Sequence, residues 1–451
     1  MPSVDAFIAA TRFGLGPRPG ELAEIDADPR AWIIAQIEEA QTIPENLRHF
    51  PAAADILKGI HEARLRSPEA LRKETRRAYR ETLFQELREH ANHMIMTRRP
   101  FAERMVLFWS NHFTVSTSKP LIGPSIAAYH REAIRPHIFG RFEDMLVAVV
   151  RHPSMISYLD NQLSMGPNSP AARRSGRGLN ENLAREILEL HTLGVDGGYT
   201  QSDVTEFAKI LTGWRHGALG GKRARQFFGP VHGDFEYFGR AHEPGPKHLL
   251  GRRYSEDGER EGMAALKHIA GHPSTARFLA TKLARHFIAD DPPPSAVAKL
   301  ARAFQDSGGH LGQMSAALVA MNEVWADPLP KVKTPLELIL STLRAAGADG
   351  LGERRFLLSL RELGHRTFAA PSPAGWPDRA RDWIAPEALM RRIEWVRQAV
   401  ARLPGTLNPV AVAAATIGPV MSAPTAKMIA AAPSVQEGLA LLFAAHEFQR
   451  R

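Results

Sequence analysis

Apolar residues recur at the helical period of about 3.6 through most of this chain, whereas two-residue alternation is confined to one stretch, 226–238. That contrast restricts the fold to the mainly α class, a single large multi-helix domain over 1–451 with a small β-hairpin insertion at about 215–255. Met94, Met96, Met105, Leu107 and Phe108 mark an amphipathic region closing a long helical stretch from Pro68 to Phe113. Tyr129 to Met145 and Pro153 to Asn161 read as two further helices, and Phe278, Leu279, Leu283 and Phe287 place a core face on another. The hairpin is expected from Phe227-Phe228 and Phe235 to Phe238, which stand between glycines. No repeat of 20–50 residues is present.

The chain has 451 residues and no cysteine, which excludes disulfides, thiolate zinc sites and cysteine nucleophiles together. Its formal net charge of +9 fits an acidic partner. The excess is dispersed, however, with glutamates interleaved even between Arg64 and Arg88, as on a solvated helix face. Nucleic acid is therefore not the expected ligand, and an anionic or carbohydrate molecule is. No run approaches the ~20 apolar residues of a membrane span. The N-terminal stretch lacks the basic and apolar regions of a secretion signal, so a cytoplasmic location is expected, or an exported one if such a signal has been trimmed.

The densest collection of reactive side chains lies between Asn180 and Trp214. It reads as helix, glycine turn, helix, with Gly194 as the left-handed stop and Thr200 to Asp203 close to a capping box. Asn182, Arg185, Glu186 and Glu189 fall within about a 100° arc of the first helix. Two carboxylates one turn apart raise the pKa of one of them, the usual route to a general acid near neutral pH. Glu186 and Glu189 are thus the candidate catalytic pair, with His191 and Asp203 beside them. Arg185 is placed to hold Glu189 ionised, although an ordinary exposed ion pair has the same spacing.

Other polar groups are candidates for holding a substrate. They are Trp109, Asn111 and His112 at the end of the long helical stretch, Arg131, and Asn180, Asn182, Arg185 and Trp214 in the central segment. His242, Lys247 and Trp376 occupy proline-rich loops. The segment 164–179 is a Gly/Ser/Pro-rich basic loop, flexible by composition, that leads into the central helix. Gly14, Gly16 and Gly20 lack the spacing and the preceding strand of a dinucleotide site and suggest a bend against the core. No paired-histidine motif, calcium loop, phosphate loop or nucleophile elbow is present, so neither a metal nor a cofactor is expected. A site assembled from distant parts, such as His112, Glu186 and His242, stays open.

The ordered motifs resemble a bacterial family known as domain of unknown function 1800. They include Thr11-Arg12-Phe13-Gly14, Trp109 to Phe113, Arg131-Glu132 with Arg135-Pro136, and Asn180 to Glu186 with Glu189 to Gly194. Leu211 to Trp214, His242 with Gly245 and Lys247, Lys282-Leu283 and Ser372 to Pro377 continue the match nearly end to end. Glu243 departs from the pattern, which has aspartate after the histidine. The resemblance implies no reaction, since the function of the family is unknown. It implies a protein partner, because members are often exported and encoded beside a sulfatase- or phosphatase-like protein.

Three functions remain in play at this level. The first is an enzyme using carboxylate acid/base chemistry, a hydrolase or lyase acting on an anionic or sugar-containing substrate. The second is a non-catalytic interaction protein with a structural polar cluster, and the third a metal-dependent enzyme with a His/Glu site. Whether His112, Glu186, His191 and His242 meet in one pocket would separate them.

Overall fold

In the computed structural model, which describes residues 1–66, 68–119, 122–217, 232–350 and 353–451, helices carry almost all the regular structure. One contiguous apolar core runs from Ala6 to Phe448 and takes in Phe13, Phe101, Trp109, Phe142, Trp214 and Phe287. The expected stretch from Pro68 to Phe113 is two helices, Glu69–Met96 and Pro100–His112, because Pro100 starts the second at a position where its missing N–H costs nothing. The chain turn between them is held by Arg344, whose guanidinium donates to the carbonyls of Met94, Ile95 and Thr97 and thereby satisfies a helix C-terminus. The expected 129–145 helix is likewise divided, into π-helical His130–Ile134, a short turn and the helix Phe142–Arg151.

The β structure consists of two antiparallel ladders. Strand β1 (Trp214–His216) pairs with β2 (Phe235–Tyr237), and β3 (Lys247–Leu249) pairs with β4 (Arg252–Tyr254). The 235–238 half of the expected hairpin is a strand, but its partner is the end of the central segment. Phe227 and Phe228 lie outside the described residues. The basic loop 164–179 contains a helical turn, Pro170–Ser175, capped by Ser169. Glu243 anchors the loop by accepting from the backbone N–H of Asn168 (2.9 Å).

The central segment folds as its spacing dictates. Asn182–Glu186 is α-helical and continues as a π-helical turn, Ile187–His191. Gly194 follows in the left-handed region at φ 85°, and any Cβ there would meet the Phe278 ring at 2.7 Å. The helix Gln201–Ile210 begins with a reciprocal capping box between Thr200 and Asp203.

Candidate functional site: a half-open cavity beside the Lys282 helix

The helix Pro273–Phe287 turns Leu279, Leu283 and Phe287 into the core and presents Lys282, Arg285 and His286 to a cavity of about 500 Å³. Lys282 and His286 are one turn apart and so share a face. The end of the Pro100–His112 helix supplies Phe108, Asn111 and His112 to the same cavity. The far wall is the segment 365–382, with Trp376, Asp378, Arg379 and Arg381. Asn111 clamps that segment like a short strand, its amide donating to the Trp376 carbonyl (2.9 Å) while its oxygen accepts the Trp376 N–H (2.7 Å). Gly375, at φ 86°, permits this close approach, because a Cβ there would lie 2.4 Å from the Asn111 carbonyl oxygen.

The charges in the cavity are unequally committed. His286 Nδ1 donates to Asp378 Oδ2 at 2.7 Å, and its Nε2 lies 3.4 Å from Arg104. Burial lowers the pKa of His286, opposed by Asp378, so the ring is neutral near pH 7 with Nε2 as the acceptor nitrogen. Burial would raise Asp378, but His286, Lys331 and Arg451 hold it below its usual value. Glu337 is gripped between Arg104 and Arg451, which overcome its burial and keep it well below the carboxylate range. Lys282, by contrast, has no hydrogen-bond or ion-pair partner among the described residues; its ammonium lies 5.6 Å from the Phe278 ring centroid. Burial and the nearby Arg285 bring its pKa down to about 8 against the opposing pull of Asp378. Arg104, Lys282, Arg285, Arg379 (paired with Asp291) and Arg381 outnumber Glu337, Asp378 and Asp382 around the cavity, which is cationic on balance.

His112 joins the cavity to the central segment. Its Nε2 donates to the His191 carbonyl (3.0 Å), and its Nδ1 is buried with no partner among the described residues. Burial and Lys282 lower its pKa well below the ordinary value. His191 lies behind it, buried with neither ring nitrogen partnered among the described residues, and burial brings its pKa to about 3.

A family model described as "Protein of unknown function (DUF1800)" matches residues 8–450. The chain belongs to that family. No curated protein and no solved structure matches it. In this DUF1800 protein, most residues of the central motif face elsewhere than the cavity. Glu186 is half-buried, and its pKa is raised by that burial and by Glu189. Arg185 pairs with Glu181 (2.9 Å) and Gln201 rather than with Glu189. Asp203 Oδ2 accepts from the Thr200 backbone and hydroxyl, and Oδ1 from the Leu250 N–H, so both carboxylate oxygens are spent on capping. Asn180 Oδ1 accepts the Asn182 N–H.

The remaining expected ligand-holding residues are scattered. Arg131 is buried against Glu86 (3.0 Å) and the Pro51 carbonyl. Trp109 and Trp214 are core residues. His242 and Lys247 form a closed knot with Glu261: Lys247 Nζ donates to Glu261 Oε2 (3.1 Å) and lies 3.0 Å from His242 Nε2, whose Nδ1 donates to the Thr212 carbonyl. Hence Asn111, His112 and Trp376 line the cavity, and Glu186, His191 and His242 do not. Among the described residues no group of three His, Asp or Glu side chains is placed to hold a metal ion. The expected site residues did not include Lys282, His286 or Asp378, which line the cavity; Lys282 appeared only among the family motifs. Lys282 and His286 are separated by four positions and so share a helix face beside the core face of Leu279, Leu283 and Phe287, and that spacing was the available signal.

Proposed function

We propose that this protein is an acid/base enzyme, a hydrolase or lyase, that works on an anionic small molecule in the cavity beside Lys282. The observation that carries the reading is a lysine with no counter-ion at ion-pair distance among the described residues, facing a cavity of about 500 Å³ lined by aromatic rings and by guanidinium groups that outnumber the carboxylates of Glu337, Asp378 and Asp382. A lone cation in such a place invites an anion, and desolvation strengthens the attraction. His286, oriented by Asp378 as in a catalytic dyad, supplies a neutral imidazole for proton transfer. The aromatic walls, Phe108, Phe356, Phe368 and Trp376, suit an apolar or sugar-ring body on that anion.

Thermal-shift screening of paired small molecules that differ only in a carboxylate or phosphate tests the reading. Anionic members should raise Tm and their neutral counterparts should not, and Lys282→Met should abolish the difference. With a turned-over substrate in hand, His286→Gln should lower kcat by a factor on the order of 10²–10⁴. Equal shifts from charged and neutral members, or an unaltered kcat, would refute it.

A second reading keeps the catalytic acid on the central helix, favoured by the raised pKa of half-buried Glu186. There Glu186→Gln should remove activity and leave the anion-induced shift intact.

A further inference from the structure

We propose that Lys282 is a nucleophile that forms an imine with the carbonyl carbon of an oxo acid bearing an apolar or aromatic tail. The inference rests on the reading of the cavity as an anion-binding site and adds a covalent step to it. Three arrangements argue for that step. Among the described residues Lys282 Nζ has no carboxylate at ion-pair distance, and Asp378 reaches it only from farther off, unlike Lys247, Lys331 and Lys299, each of which is ion-paired. Arg285, Arg379 and Arg381 line the same cavity, so a substrate carboxylate has guanidinium groups to meet while its carbonyl is left to the lysine. His286, one helical turn along and held by Asp378, is a proton carrier on the same face.

A lysine sheltered from water beside another cation retains a useful fraction of free amine at neutral pH, the condition for nucleophilic catalysis of this kind. For Lys282, burial and Arg285 act in that direction. The lone pair of neutral Nζ adds to the carbonyl carbon. The C=O π electrons move to oxygen, which takes a proton, and nitrogen gives one up. The carbinolamine then expels its hydroxyl as water, with one proton delivered to the departing oxygen, and the C–O bond is replaced by C=N. Amine and carbonyl thus give imine and water with no oxidant or reductant. The protonated imine is an electron sink for breaking a neighbouring C–C or C–H bond, which makes the lyase the form of the proposed enzyme that this chemistry serves.

The test uses the whole protein and phenylpyruvate, with sodium cyanoborohydride to convert imine to secondary amine and peptide mass spectrometry to find it. Lys282 should carry the adduct at least ten-fold above Lys73, which is solvent-exposed, and labelling should increase as pH rises towards 8. Lys282→Arg should give no adduct while phenylpyruvate still raises Tm. Labelling of Lys282 no greater than that of Lys73 overturns the imine. If phenylpyruvate nevertheless raises Tm in the wild type, the anion site stands and only the covalent step fails. If it neither labels nor shifts the wild type, the imine fails, and with no anion of the screen raising Tm, so does the reading beneath it.

Discussion

The His242–Lys247–Glu261 knot and the Lys282–His286–Asp378 face are built from the same three kinds of group, imidazole, ammonium and carboxylate, in opposite states of commitment. In the knot the carboxylate lies within 3.1 Å of both partners, and its ammonium and imidazole are 3.0 Å apart. All three side chains are buried. On the cavity face the carboxylate serves His286 and Lys331, and Lys282 is left over. The difference separates a knot that ties strand β3 to the 242 loop and to the helix carrying Glu261 from a cavity wall whose lysine has no ion-pair partner among the described residues. A buried charge is costly unless it is paired, so removing a partner should cost far more in the knot than on the cavity face.

The largest expected effect comes from breaking the knot. Glu261→Gln strands Lys247 and should cost about 3–5 kcal/mol of stability, read from chemical denaturation. A loss below about 1 kcal/mol would erase the contrast between the two regions.

Acid should reveal the next effect. His191 is brought to about 3 by burial, against about 6.5 in an unfolded chain. The unfolded state therefore binds the extra proton between those values. Stability is full above about pH 6.5 and falls below it, by up to about 1.4 kcal/mol per pH unit from this residue. His191→Leu should flatten the slope of unfolding free energy between pH 6.5 and 5. An unchanged slope would mean that the ring finds a partner on folding.

Lys282→Met should change stability by less than about 1 kcal/mol in either direction, because no ion pair is broken. Lys247→Met, its counterpart in the knot, leaves Glu261 buried with only His242 and should be clearly destabilising. Similar denaturation curves for the two lysine variants would contradict the assignment of one to structure and the other to function.

The smallest effects are expected in the central helix. Arg185 is paired with Glu181 at a partly exposed site, so Glu189→Gln strands no buried charge. Glu189→Gln should shift stability by about 0.5 kcal/mol or less, as surface substitutions do, and Glu186→Gln, half-buried with no ion pair to break among the described residues, by less than about 1 kcal/mol. A loss of several kcal/mol on Glu189→Gln would contradict the exposed pairing of Arg185 with Glu181.

The fold was largely legible because it is written locally. Periodicity marks the helices, Gly194 a left-handed stop, and Thr200 with Asp203 a cap that needs nothing from elsewhere. The site was legible only at its edges. Asn111, His112 and Trp376 stood out as polar or aromatic residues at element ends, and they do line the cavity. The pairing of Asp378 with His286 joins residues 92 positions apart, and no spacing rule reaches across that distance. The carboxylates crowded at 181–189 drew notice through density, yet density on a helix surface is resolved by neighbours such as Gln201 and Thr205, which the local pattern does not reveal. The strand partner of Phe235–Tyr237 was missed for the same reason, since β1 lies before an intervening segment rather than across a tight turn.

The most direct test of the cavity as a prepared cationic site is the ionisation of Lys282 itself, measured by trace acetylation of the whole protein across pH 6–11 with mass spectrometry of each lysine peptide. Lys282 should show a half-point near 8. Its acetylation should slow when a carboxylate found in the thermal-shift screen is present. A half-point at the ordinary lysine value of about 10.4, with no protection by any anion, would contradict a prepared cationic site.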